Sequence, residues 1–303
     1  MTTKNKNNMS KIIDKIYEQT SVNICHKEFY KKLQNVDLEN FAKSILNAVK
    51  TVIKKPVIQK KTIGDRIKDY NYWSRRQHVT YTQKGSLPIT IEKLKIDSNE
   101  VFLERIIAYK KYYEYKQNKK ELPDFWNQYQ VGTSYKEDVD IRIKENKTEK
   151  YVELKALNKD GCADNPLFAI VESIKNYYLT PNKQELKELI VLAPENYWEV
   201  SHNKDAVSVL KQLLIILSKH LGITISIQKI NIRESDFEQI DYIFKHYIVN
   251  NLKNNKFKQN SAKKSKKPQY NYVISDIKLK NVFEEEALYM NKYIQKLFDW
   301  EQI

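Results

Sequence analysis

Asp138-Val-Asp-Ile-Arg-Ile143, followed after a polar turn by Tyr151-Val-Glu-Leu-Lys155, is the stretch that decides how this chain is read. Val139, Ile141 and Ile143 alternate with Asp138, Asp140 and Arg142, the two-residue period of a strand with one apolar and one polar face. Glu145, Asn146, Lys147 and Thr148 read as the polar turn. On the returning strand Val152 and Leu154 alternate with Glu153 and Lys155. The pattern predicts a hairpin that brings carboxylates and a lysine to one end of a sheet.

An acid-x-Lys triplet means little alone in a chain this rich in Lys and Glu. Glu114/Lys116, Glu145/Lys147, Glu185/Lys187 and Asp276/Lys278 all fit it. Glu153/Lys155 is set apart by its context, on a core strand directly after one that bears Asp138 and Asp140, and before a helix.

Outward from the hairpin, the elements alternate. Asp97 or Ser98 can cap a helix running to about Lys119, with Glu100 and Glu104 one turn apart on it, and Leu122 to Trp126 reads as a connector. After Lys155, Asn165 as N-cap and Pro166 at the first helical position start a helix through Tyr178 that presents Glu172, Lys175 and Tyr178. Leu189 to Ala193 is a wholly apolar run, as expected of a strand buried on both faces. A helix from Asn203 to Leu221, stopped by Gly222, leads to a half-buried strand from Ile223. Helix, strand, strand, helix, strand, helix, strand predicts an α/β class with a mixed central sheet.

The flanks have a different character. Residues 9 to 20 and 27 to 54 read as helical, the second run broken and with Asp37 as N-cap, and Pro56 ends it. From Val57 to Leu94 short β-prone segments follow. Among them, Tyr70 to His78 interleaves Tyr72 and Trp73 with Arg75 and Arg76, a mixture suited either to stacking on bases while neutralising phosphates or to burying the aromatics under the arginines. Beyond a helix from Asp236 to Leu252, Lys253 to Lys267 reads as a basic loop, with Lys263, Lys264, Lys266 and Lys267 free to meet a phosphate backbone or simply solvated. Val282 to Trp300 reads as an amphipathic helix that would dock on the core or on a second subunit, so a homodimer is one candidate assembly.

Charge follows the same division. Of 303 residues, 1–96 hold 20 Lys and Arg against 8 Asp and Glu, 97–251 hold 22 against 24, and 252–280 hold 9 against 1. Basic flanks would grip a polyanion and present it to a slightly acidic middle. Other chemistries lack support: His26, His78, His202, His220 and His246 are scattered, and five glycines form no phosphate-cradling loop. Two cysteines, Cys25 and Cys162, allow no disulfide framework. No run is apolar enough to span a membrane and the first residues lack a signal peptide's apolar region, so a cytoplasmic location is expected.

The acidic strand, the Glu153-Leu-Lys155 triplet and the following helix resemble the PD-(D/E)XK nuclease superfamily, over roughly residues 97 to 230. The resemblance implies a restriction-endonuclease-like core at 97–231 with a mixed central sheet flanked by helices. Around it would lie a basic N-terminal region at 1–96, helical with short β segments and binding nucleic acid, and a helical C-terminal extension at 232–303. It implies a Mg²⁺-dependent endonuclease acting on DNA, with Mn²⁺ able to substitute, in restriction or another bacterial defence. A DNA-repair or mobile-element nuclease and a non-catalytic binder on a degenerate nuclease fold are the alternatives. By resemblance Asp140 and Glu153 are metal ligands, the Leu154 carbonyl a further one, and Asp138 the rival of Asp140. Lys155 orients or activates the attacking water, and the preceding helix lends a glutamate, Glu104 by its place in Phe-Leu-Glu-Arg-Ile-Ile. The superfamily has Pro before the first acid, where this chain has Glu137, and a Gln where it has Glu172.

Overall fold

A computed structural model describes residues 8–26, 29–53, 81–83, 94–96, 99–100, 102–104, 106–107, 109–110, 124–131, 138–145, 148–156, 165–180, 183–195, 197–198, 204–232, 234–252, 257–261, 270–274, 288–294 and 300–302. Three helices come first: α1 (Asn8–Thr20), α2 (Phe29–Leu33) and α3 (Leu38–Val52). Asp37 caps α3 as its position predicts, its Oδ1 accepting from the Glu39 and Asn40 amides at 2.8 and 3.1 Å. Two short strands, β1 (Tyr81–Gln83) and β2 (Leu94–Ile96), pair antiparallel, and helical residues between 99 and 110 form α4.

The central sheet is built next, from β3 (Asp124–Gln130), β4 (Asp138–Glu145) and β5 (Thr148–Leu154), then β6 (Leu186–Pro194) and β7 (Thr224–Ile230). Helix α5 (Pro166–Leu179) joins β5 to β6, and α6 (Lys204–Leu221) joins β6 to β7. After α7 (Glu234–Leu252) come the paired strands β8 (Phe257–Ser261) and β9 (Tyr270–Ile274), the helical residues 288–294 (α8) and β10 (Trp300–Gln302). The sheet order is β10-β7-β6-β5-β4-β3, with β5, β6 and β7 parallel and the other neighbours antiparallel. The chain is therefore α/β with a mixed sheet flanked by helices. Helices link the parallel strands because such a pair cannot be joined by a tight turn.

The two-residue period sorts side chains to the two faces, and both are covered. On one face Tyr151, Leu189, Val191, Ala193, Ile225 and Ile227 meet Leu167, Ile170, Val171 and Ile174 of α5 and Leu210, Leu213, Leu214 and Leu217 of α6 in one core. On the other, Ile141, Val152, Leu154, Ile190 and Leu192 are equally buried. Each such side chain contributes roughly 1.5–3 kcal/mol by leaving water. The same core takes in Ile12 and Ile16 of α1 and Phe41, Ile45 and Val49 of α3. The helical part of the basic N-terminal region thus belongs to the core that supports the sheet.

Helix ends follow local chemistry. Asn165 accepts from the Phe168 amide at 3.0 Å, with Pro166 behind it, and also donates to the His26 carbonyl at 3.2 Å, tying α5 to the segment after α1. Gly222, at φ +68°, ends α6 in the left-handed region that glycine tolerates.

Four expectations need correction. Glu145 and Thr148 pair with each other in the β4–β5 ladder, so the connection is the two residues 146–147, not four. Asp124 to Trp126 belongs to β3 and is no connector: Phe125, Asn127 and Tyr129 oppose Ile143, Ile141 and Val139, and β4 supplies the ladder partners that a mostly polar run cannot advertise. Phe257–Ser261 lies inside the expected basic loop but forms β8, its pairing with β9 outweighing its low apolar content. The expected terminal helix is helical at 288–294, whereas Trp300 begins β10, which covers the open edge of β7.

Candidate active site

Backbone alternation puts Asp140, Arg142, Glu149, Tyr151, Glu153 and Lys155 on one face at the β4–β5 junction. Arg142 sits opposite Tyr151 and Ile141 opposite Val152. All six polar-face groups are buried, Asp140 at 8%, Glu153 at 6% and Lys155 at 4% exposure. Beyond the last ladder pair, Asp140 Oδ2 accepts the Leu154 amide at 2.8 Å. On the other side of β5, the Lys155 amide donates to the Leu192 carbonyl of β6 at 2.9 Å. The end of β5 is thus pinned from both sides, by a side chain on one and the parallel sheet on the other.

Lys155 is the centre of the cluster. Its Nζ donates to Glu153 Oε1 at 2.9 Å and to Glu172 Oε2 on α5 at 3.4 Å, and Glu100 Oε2 on α4 lies 3.7 Å away. Glu172 in turn accepts from Lys175, itself buried, at 3.4 Å. Four carboxylates therefore face two ammonium groups.

Burial and mutual repulsion shift these groups apart. Burial raises Glu153 well above the carboxylate range; Lys155 opposes this, while Glu172, Asp140 and Glu100 add to it. Glu172 is held low although burial works against it, because Lys155 and Lys175 flank it and Glu153 donates to it. The pair thus holds one proton, carried by Glu153, into a pH range where an ordinary carboxylate has lost it. For Lys155 burial alone would lower the pKa, but Glu153, Glu100, Glu172 and Asp140 outweigh it and raise it well above the usual lysine value. Lys155 is a permanent cation at neutral pH.

The structure assembles Asp140, Glu153 and Lys155 as one cluster. Asp138 opens β4 opposite Gln130, with its side chain outside the described residues. Glu104 is buried at 2%, but the helical glutamate in ionic contact with Lys155 is Glu100, one turn earlier. Helical periodicity places the two on adjacent turns, and the end of β5 meets the earlier one. Glu172 and Lys175 join the cluster without a place in the expected ligand set. Their signal was their three-residue spacing on the helix following the triplet. Tyr72, Trp73, Arg75, Arg76, Lys263, Lys264, Lys266 and Lys267 lie outside the described residues.

A hard divalent ion suits this donor set. The groups are oxygen donors carrying two more negative charges than positive ones when ionised, and burial, with the neighbouring carboxylates adding to it, raises the Glu153 pKa. Among the described residues no three His, Cys, Asp or Glu side chains converge as a ready-made metal cage. Asp140 and Glu153 are instead engaged by the Leu154 amide and Lys155.

Comparison with family models, with curated proteins and with solved structures finds no match to this chain. Among the described residues no helix is long and apolar enough to cross a membrane.

Proposed function

We propose that this chain is a Mg²⁺-dependent endonuclease of the PD-(D/E)XK type that hydrolyses DNA phosphodiester bonds, in restriction or another bacterial defence. The observation that carries the reading is the buried Lys155, held at 2.9 Å by Glu153 beside Asp140 at the end of adjacent core strands. A buried lysine of this kind rarely repays its desolvation in a purely structural role, whereas a site that must meet a phosphate needs its charge in place.

Asp140, Glu153 and the Leu154 carbonyl would hold the Mg²⁺, which when bound supplies charge shielding for the phosphate and a more acidic water. Lys155 remains protonated, so it donates hydrogen bonds and stabilises negative charge rather than removing a proton. Glu172 and Glu100 hold its ammonium in place from two helices. Asp140 orients the end of β5 through the Leu154 amide. The surplus of Lys and Arg in residues 1–96 and 252–280 supports a polyanionic substrate.

One observation favours a second reading, a non-catalytic nucleic-acid binder on a degenerate nuclease fold. Both candidate ligands are already satisfied by partners within the protein, and no three-group cage is preassembled among the described residues. Supercoiled, nicked and single-stranded DNA and RNA incubated with Mg²⁺ or Mn²⁺ separate the two. The nuclease reading expects metal-dependent cutting of DNA; salt-sensitive binding with no cleavage under either ion would leave the binder.

A further inference from the structure

A second charged cluster lies along α5 from the first. Tyr177 and Tyr178, at the end of the helix, meet edge to face with centroids 5.3 Å apart, and both are half-buried against the core. Lys183, from the turn before β6, sits over both rings, 4.8 Å from the Tyr177 centroid and 4.5 Å from that of Tyr178. Lys50, exposed in the last turn of α3, stands 5.9 Å from the same Tyr178 ring. Three separate elements thus bring two ammonium groups to one aromatic surface.

This arrangement lacks the counter-charge that surface lysines usually find. Among the described residues neither Lys50 nor Lys183 meets a carboxylate, although they stand close enough for Lys50 to help lower the Lys183 pKa, second to burial. The tyrosines supply no negative charge either: burial, and then Tyr177, pushes the Tyr178 phenol up to about 12, so it stays neutral. Cation–aromatic contacts at such partly exposed sites are weak. They do not explain why two like charges share one ring.

We propose that Lys50, Tyr177, Tyr178 and Lys183 form a strand-binding subsite, in which phosphates of one nucleic-acid strand neutralise the two lysines while a sugar or base packs on the exposed surface of the tyrosines. The choice of nucleic acid as the ligand rests on the nuclease reading above. Tyr178 is six residues beyond Glu172 on the same helix, about 9 Å along its axis and about 120° around it, so α5 serves Lys155 and the subsite from different faces. Ammonium pairs and aromatic surface are the combination that grips single strands without reading their sequence.

The test measures binding of a short fluorescein-labelled DNA strand of mixed sequence to the full chain over a range of salt concentrations, alongside cleavage with Mg²⁺. Each phosphate contact to a single strand contributes about 0.7 to the slope of log affinity against log salt. Lys50→Ala/Lys183→Ala should lower that slope by about 1.4, and Lys50→Arg/Lys183→Arg should restore it. Tyr178→Leu should weaken binding roughly 5- to 150-fold while leaving the slope unchanged. Near-UV circular dichroism checks that each variant is folded, and the lysine pair keeps the test open if the tyrosine variant is not. Wild-type affinity and slope in Lys50→Ala/Lys183→Ala would overturn the subsite while leaving the nuclease intact. A reduced slope in a protein that cuts nothing would keep the subsite and remove the nuclease. Absence of DNA binding by the wild type would remove the subsite.

Discussion

The Lys155 ammonium lies 2.9 Å from Glu153 Oε1, two residues earlier on the same face at the end of β5, and both groups are buried. Each is stabilised by the other, yet burial, with Glu172, Asp140 and Glu100 adding to it, raises the Glu153 pKa. The cluster is therefore sensitive to pH.

The Glu153 pKa is raised in the folded chain relative to the unfolded one, so the folded state binds more protons in between. Its contribution to stability is complete below the unfolded value of about 4.3 and is lost as pH rises through the folded value. Thermal midpoints without divalent ions should therefore fall as pH rises through that window, and Glu153→Gln should flatten the dependence. A wild-type profile that Glu153→Gln leaves unchanged would contradict this account of the cluster.

The same sheet face holds a second buried ion pair with a different role. Arg142 bonds both oxygens of Glu149, its Nε lying 3.0 Å from Oε2, while the Glu149 amide donates to the Glu185 carbonyl at 2.7 Å. This pair locks the β4–β5 register and the start of the β5–β6 ladder. Arg142→Ala should cost up to about 3–5 kcal/mol by leaving the buried Glu149 charge with only Lys144, 3.9 Å away, whereas Arg142→Met/Glu149→Leu should recover most of it. Urea denaturation of the single and double variants measures the difference.

Asn165 acts at both ends of its amide. Its oxygen caps α5 and its nitrogen donates to the carbonyls of Ile24 and His26. Asn165→Asp keeps the cap and loses the donor; Asn165→Ala loses both and should be the less stable, with a deficit from the cap of about 1 kcal/mol. Urea midpoints in the order wild type, Asp, Ala are expected; an Asp variant below Ala would assign the dominant role to the nitrogen.

Much of this fold was legible because its signals are local. The alternation from Asp138 to Lys155, the Asp37 and Asn165 caps, the apolar run at Leu189 to Ala193 and the Gly222 stop each follow from neighbours in the chain. The misreadings fall where a distant partner decides. β3 is a strand because β4 is beside it, and β10 because β7 has an open edge. The site divides the same way: Asp140, Glu153 and Lys155 come from one hairpin and were found together. Glu100 and Glu172 are delivered to Lys155 by helices whose placement no local pattern gives.

On the proposed reading Asp140 and Lys155 serve hydrolysis, and the rate of plasmid cleavage in Mg²⁺ by the wild type and by folded Asp140→Ala and Lys155→Ala tests it most directly. The wild type should cut only with the metal, and the rate should fall roughly 100-fold or more in each variant. Metal-dependent cutting that survives both substitutions would contradict that reading.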